Sequence, residues 1–312
     1  MEDSIKIIIS GLDNAGKTSI LTALDRKYDF DKAIMELKPT IKVEYHQTEF
    51  LGRTVNFWDM GGQEKYRNLY LNRREIYFDG TDLLVYIIDI QDEARFQDSL
   101  NYLESILDFF IEEDIDLPII VSFHKCDPEI RNQEEIHNRI DYLRELISEK
   151  YQGFKILFQV TSIYDIISIV QLISYGLSIF DDRFFDLSEL LERYQNELEC
   201  ASLILFDKNG IIISEFYEEK LPAEYYIELL ESIREHLFLL KRMQEENYEE
   251  DYSFFDIENN YLSYLHRLKI GKYPFYISVL TENNKKEILL ERFADFIEEI
   301  TPILEDLLGI NS

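Results

Sequence analysis

The sequence predicts two domains: an α/β domain on a mostly parallel six-stranded sheet over residues 1–182, then a smaller α+β domain over residues 183–312. Three observations support this. Short apolar runs alternate with helical periods through the first half, at the spacing of a parallel sheet with helices on both faces. The alternation stops around Asp181-Asp182-Arg183. Beyond it the element order reads αββαβββα, which suits antiparallel strands and separate helices. A length of 312 residues is comfortable for two domains, and 46% hydrophobic residues can give each its own core.

Ile5 to Ser10 is short, apolar and β-branched, the pattern of a buried strand. A Gly-rich turn and a helix from Lys17 follow. Val43 to Phe50 and Thr54 to Asp59 read as strands of a hairpin turning at Leu51-Gly52-Arg53. Leu83 to Ile90, Pro118 to Phe123 and Phe154 to Val160 complete the six. Helical periods cover Arg95 to Ile111, Glu134 to Glu149 and Ile166 to Phe180. In the second half a helix spans Leu187 to Glu199. Ser202 to Phe206 and Ile211 to Phe216 then flank Asp207-Lys208-Asn209-Gly210, whose Asn-Gly pair is a hairpin signal. A long helix over Ala223 to Glu246 runs into an acidic loop at Glu249-Glu250-Asp251. Strands at Ser253 to Ile257, Tyr261 to Ile270 and Phe275 to Thr281 precede a last helix, Lys286 to Leu308.

The formal net charge is -30. Nucleic acid and anionic lipid need a basic footprint, so neither is an expected partner. The acidity is spread over both halves, as a solvated surface or as a face for a basic partner. Cys126 and Cys200 are too few for a disulfide framework or a zinc site, which fits a reducing cytoplasm. Met1-Glu2-Asp3 leads straight into a strand, with no signal peptide and no glycine for myristoylation. Gly309-Ile310-Asn311-Ser312 is no prenylation box. No apolar run reaches the ~18 residues of a membrane span. A cytoplasmic protein without a direct membrane anchor is the expectation.

Gly11-Leu12-Asp13-Asn14-Ala15-Gly16-Lys17-Thr18 matches G-x-x-x-x-G-K-[ST] between a strand and a helix. Such a loop wraps backbone N–H groups of Asp13, Asn14, Ala15 and Gly16 around phosphates, and the helix N-terminus adds positive potential. Gly16 allows close backbone approach. Lys17 is expected at the β- and γ-phosphates and Thr18 on Mg²⁺. Thr40, in Lys38-Pro39-Thr40, can bring a second hydroxyl to the metal. Asp59 ends an apolar strand, placed to hold Mg²⁺ through water. Gly62 can sense the γ-phosphate by its N–H, and Gln63 can orient an attacking water. His124-Lys125-Cys126-Asp127 follows another strand. A carboxylate at Asp127 can accept two N–H bonds from guanine N1 and N2, a donor pair adenine lacks, while Lys125 packs along the base. The ligands so implied are GTP or GDP and Mg²⁺.

These residues resemble the Ras-like small GTPase superfamily. GLDNAGKTS, which includes Ser19, and WDMGGQEKYR look like Arf-type members. The closer resemblance is to the Rag/Gtr family, whose base-binding motif begins with His and whose last base contact comes from Thr-Ser-Ile-x-Asp. Here these read His124-Lys125-Cys126-Asp127 and Thr161-Ser162-Ile163-Tyr164-Asp165. The run FLGRTVNFWDMGGQ is similar too. The resemblance implies base contacts from Ser162 and the Ile163 N–H, and a C-terminal roadblock/longin-like domain that dimerises, matching the αββαβββα order. Two departures bear on mechanism. His124 replaces the usual asparagine, which weakens the polar tie to the phosphate loop. Asp13 stands where many members have glycine and crowds the γ-phosphate, which implies slow hydrolysis and an arginine supplied by a partner.

Two functions follow. One is a GTP-hydrolysing switch using Gln63, Lys17 and Mg²⁺, governed by protein partners, with loops at Thr40 and Gly62 that order on the γ-phosphate. The other is an assembly scaffold that turns nucleotide over little and acts through its C-terminal domain as a homodimer or heterodimer. The stripe Tyr226, Leu230, Ile233 and Leu237 is then core on one face and interface on the other, or entirely core. An ATPase is a distant third reading.

Overall fold

A computed structural model describes residues 4–25, 38–178, 183–218, 232–233, 235–236, 238–240, 242–243, 245–246, 253–258 and 260–310. Two compact units divide the chain: Met1–Glu49 with Arg53–Gly176, and Phe50–Gly52 with Leu177–Ser312.

The first unit contains β1 (Ser4–Gly11), α1 (Lys17–Asp25), β2 (Val43–Phe50), β3 (Arg53–Met60), α2 (Glu64–Leu71), α3 (Arg74–Phe78), β4 (Leu83–Asp89), α4 (Phe96–Glu112), β5 (Ile119–His124), α5 (Glu134–Lys150), β6 (Ile156–Thr161) and α6 (Ile166–Ser178). The sheet order is β2-β3-β1-β4-β5-β6. Pairings from β3 through β6 are parallel. Leu83 to Ile88 in β4 and Ile119 to Phe123 in β5 are buried throughout, because a parallel sheet clad on both faces needs continuous apolar strands. Helix α4 covers the sheet with Phe96, Leu103, Ile106, Leu107 and Phe110, a helical stripe. Leu51 and Gly52 both have positive φ, 47° and 78°, as a two-residue hairpin turn of the right twist demands.

The strand order reverses direction on either side of β1, between β3 and β4. In such sheets the crevice beyond the carboxyl ends of the strands at that point receives ligands. Gly11, Asp59, Asp89, His124 and Thr161 all stand at those ends.

The second unit holds α7 (Arg183–Glu197), β7 (Ser202–Asp207), β8 (Ile212–Tyr217), helical residues within 232–246, β9 (Ser253–Glu258), β10 (Tyr261–Ile270), β11 (Tyr273–Glu282) and α8 (Lys286–Leu307). Its sheet is antiparallel, in the order β8-β7-β11-β10-β9. Asp207 Oδ1 closes the β7–β8 turn by accepting the N–H groups of Asn209 and Ile211, each at 2.8 Å, and Gly210 takes φ 69°. Pro274 lies in an inner strand, yet pairing of β11 with β7 begins only at Phe275, so no ladder bond is lost there. In the helix before β9, Ile233, His236, Leu240 and Met243 are buried and Phe238 is exposed. Ile233 is therefore core.

The reading at Met1-Glu2-Asp3, Asp181-Asp182, Tyr226, Leu230, Leu237, Glu249-Glu250-Asp251 and Asn311-Ser312 falls outside the described residues. Helices α2 and α3 were not expected from the sequence. They are short, and each buries a single residue, Tyr70 and Phe78, so their apolar period is weak. No helix among the described residues is long and apolar enough to cross a membrane.

Candidate functional site

The loop after β1 curls because three of its residues take positive φ: Gly11 (143°), Asn14 (61°) and Gly16 (99°). Curled backbone of this kind turns successive N–H groups inward as an anion-binding concavity, here opening onto the N-terminus of α1. Lys17 folds back over it, its Nζ donating to the carbonyls of Leu12 (2.6 Å) and Gly11 (3.1 Å). Burial lowers the Lys17 ammonium to about 8, against the pull of Asp59 and Asp13. Asp13, Asn14, Gly16, Lys17, Thr18, Ser19, Thr40, Gly62, Gln63 and Lys125, with Lys38 and Pro39, line one cleft of about 350 Å³. Ala15 is buried behind the loop, with its N–H toward Leu12 O at 3.4 Å.

Three hard oxygen donors meet at the floor of this cleft. Thr18 Oγ1 donates to Asp59 Oδ2 at 2.5 Å, and Thr40 Oγ1 lies 2.8 Å from Thr18 Oγ1 and 3.2 Å from the same carboxylate oxygen. Asp59 is fully buried, and that burial raises its pKa. Two hydroxyls and a buried carboxylate are a donor set that suits Mg²⁺, which takes oxygen ligands and keeps several waters. The residues present fit that ion.

The two loops beside the cleft interlock by backbone. Gly61 N–H donates to Lys42 O (2.7 Å), and Asp13 N–H donates to Gly62 O (3.1 Å). A Cβ on Gly62 would come within 2.3 Å of Asp13 N, so only glycine fits this approach. Gln63 is the N-cap of α2, but its side chain makes no capping bond, so the amide is not spent on the helix and lines the cleft instead.

At the far end, Asp127 Oδ1 accepts from Ser162 Oγ at 2.6 Å, and Oδ2 accepts from Gln91 Nε2 at 3.2 Å. Lys125, at φ 62°, pairs with Asp89 at 2.6 Å. Ile163 is half-buried beside Ser162. His124 is buried with Nδ1 2.9 Å from Thr161 Oγ1. Burial lowers it to about 3, so the ring is neutral. A Cβ on Gly16 would sit 2.3 Å from His124 Cδ2. The imidazole therefore supports the phosphate loop by packing, where a weakened polar tie was expected.

Sequence reasoning missed Arg95. Its Nη2 donates to Asp13 Oδ1 at 2.6 Å and its Nη1 to Asp13 O at 3.2 Å. The Asp13 carboxylate, expected to crowd the cleft, is thus gripped by a cation from the turn after β4. It missed Arg67 too, which donates to Gly62 O at 2.9 Å, and Gln91 and Asp89 at the far end. No local pattern marks these residues; only the fold brings them together. The strand-end rule could have flagged Asp89.

A parallel sheet whose strand ends carry an anion-cradling loop, a hydroxyl–carboxylate cluster and a paired aspartate defines the P-loop nucleotide-binding class. The family model described as "ADP-ribosylation factor family" matches residues 1–163, over half of the chain, and the chain belongs to that family. ADP-ribosylation factor-like protein alp41 of Schizosaccharomyces pombe is 32% identical over 106 residues, 34% of this chain. The chain spans about half of that relative, 52% of its length. Ras-related GTP-binding protein A of Dictyostelium discoideum is 26% identical over 258 residues, covering 78% of this chain and 80% of that protein. Among solved structures, the Arl6 BBS3 small GTPase from Trypanosoma brucei with bound nucleotide analogue GppNp matches with a TM-score of 0.44 and 18% identity, over 56% of this chain and 95% of that one. The chain stands in the Ras-like superfamily near the Rag proteins.

Proposed function

We propose that this protein is a cytoplasmic GTP-binding switch that hydrolyses GTP slowly and signals through protein partners in the manner of Rag/Gtr proteins. Residues 1–182 serve as the GTPase domain, and residues 183–312 as a roadblock/longin-like dimerisation domain. The observation that carries the reading is the convergence of Lys17, Thr18, Thr40, Gly62 and Lys125 on one cleft, with Asp59 hydrogen-bonded to Thr18 and Thr40 behind it and Asp127 two residues beyond Lys125. Loop N–H groups of Asn14 and of Gly16 to Ser19 and the Lys17 ammonium hold the phosphates, while the Asp13 and Ala15 N–H groups are held by Gly62 O and Leu12 O. Thr18, Thr40 and Asp59 hold Mg²⁺, which when bound neutralises charge on the β- and γ-phosphates. Gln63 orients the attacking water. Asp127 accepts from guanine, with Ser162 fixing its carboxylate, Lys125 along the base and the Ile163 N–H beside it. Gly61 and Gly62 lock onto Lys42 and Asp13 through backbone bonds, so a γ-phosphate that orders one loop orders the other.

Slow turnover is supported by Asp13, which lines the cleft while Arg95 holds its carboxylate. Single-turnover hydrolysis is the test. Gln63→Leu should lower the rate at least tenfold while GTP affinity stays within about twofold; an unchanged rate removes Gln63 from the mechanism.

The scaffold reading is favoured by one observation. The second unit exposes large apolar side chains on three helices: Phe185 on α7, Phe238 before β9 and Leu290 on α8. Hydrolysis that stays undetectable with and without partners, together with pairing of the intact chain in light scattering, would select it.

A further inference from the structure

The two oxygens of the Asp59 carboxylate have different surroundings. Oδ2 accepts from Thr18 and Thr40. Oδ1 is buried and has no hydrogen-bond partner among the described residues. A carboxylate oxygen left bare in the interior is costly and calls for a cation or donor.

Strand β2 supplies the neighbours. The Gln47–Asn56 hydrogen bond and the Tyr45–Trp58 ring contact fix the β2–β3 register. The same register sets Glu44 opposite Asp59, with His46 two residues on along the same face. The ligand atoms of Glu44, His46 and Asp59 all lie within 4.8 Å of one another. Two carboxylates this close repel.

We propose that Glu44, His46 and Asp59 form a second metal site, for a divalent transition ion such as Zn²⁺ or Co²⁺. An imidazole with two carboxylates suits these ions, whereas Mg²⁺ prefers oxygen alone. One ion within reach of the three ligand atoms replaces carboxylate repulsion with attraction, and bound through Oδ1 it would give the bare oxygen a partner. Water completes the coordination. The site rests on the proposed function only in leaving Asp59 Oδ2 to the nucleotide's Mg²⁺. It needs no nucleotide atom. A bound ion would pin the edge strand β2 to the strand that carries Asp59.

The test is cobalt titration of the purified full chain, loaded with GDP in excess Mg²⁺ and, separately, stripped of nucleotide. Expected are visible d–d bands saturating at one ion per chain in both forms, and zinc that displaces the cobalt. His46→Ala and Glu44→Gln should each weaken binding at least tenfold while retaining GDP, measured by chromatography of released nucleotide. Absence of cobalt bands at millimolar metal in both forms overturns the site. So does cobalt binding that excess Mg²⁺ abolishes and the two variants leave unchanged, because the ion then sits at the nucleotide. A chain that binds no GDP refutes the proposed function, and the stripped form still decides the metal site.

Discussion

Lys17 shows how a single residue sets a measurable property of the whole site. Burial lowers its ammonium to about 8, and phosphates would restore a higher value. The protonated form binds, so affinity for GDP should hold steady up to about pH 7, be roughly halved at pH 8 and fall about tenfold by pH 9 as a proton must be taken up. Calorimetry in buffers of different ionisation enthalpy checks this; a flat profile with no proton uptake contradicts it. Two histidines act in the opposite range. His124 and His236 are buried and held near 3 by desolvation. His236 sits between Ser263 Oγ and Ser278 Oγ, each 2.7 Å away. Their neutral forms are favoured by folding, so the stability they confer is complete above the unfolded value of about 6.5 and is lost as pH falls toward 3. At pH 5 each should cost its unit about 2 kcal/mol, readable as lower urea midpoints at pH 5 than at pH 7. At this scale the sequence made the cleft residues legible, because the curled loop and the hydroxyl–carboxylate cluster restrict them to Gly, Lys, Thr and Asp at fixed spacing. It left Arg95 and Gln91 illegible, since each reaches its partner, Asp13 or Asp127, across a large gap in sequence.

At the scale of elements, the buried strands β1, β4 and β5 were legible within a few residues because continuous apolar runs have no other use in a clad sheet. Helix ends were less so. The sequence carried α7 to Glu199, whereas it ends at Glu197, and started it at Leu187, whereas it begins at Arg183. Its C-terminus closes with Cys200 N–H on Gln195 O at 3.1 Å and Glu199 at φ 48°. Helix α4 ends the same way, with Ile115 N–H on Phe110 O at 2.8 Å and Asp114 at φ 54°. Both left-handed positions are exposed and carry side chains where glycine is preferred. Asp114→Gly and Glu199→Gly should each stabilise by about 0.5–1 kcal/mol, seen as a rise in Tm; a fall in both would show that the side chains contribute more than the backbone strain they impose. Pro302 inside α8 is the converse. Thr301 Oγ1 donates to Ile297 O at 2.7 Å beside the position where proline removes a helix donor.

For the whole molecule, the first unit is a nucleotide-type site on a parallel sheet, and the second is an antiparallel sheet with helices. A net charge of -30 places such a chain among acidic surfaces that repel polyanions, yet the cleft draws Lys17, Lys38 and Lys125 to its walls. That local excess of cation is what a phosphate ligand requires. Under the proposed function the choice of nucleotide rests on Asp127 at the base end. A carboxylate there accepts the N1 and N2 hydrogens of guanine; an amide cannot accept both but can donate to xanthine, which has a carbonyl at C2. The decisive measurement is competition binding of GDP, XDP and ADP to the purified full chain and its Asp127→Asn variant. The account predicts that the native protein prefers GDP to ADP by at least a hundredfold and that the variant transfers its preference to XDP. Equal binding of ADP and GDP, or an Asp127→Asn variant that still selects GDP, would contradict it.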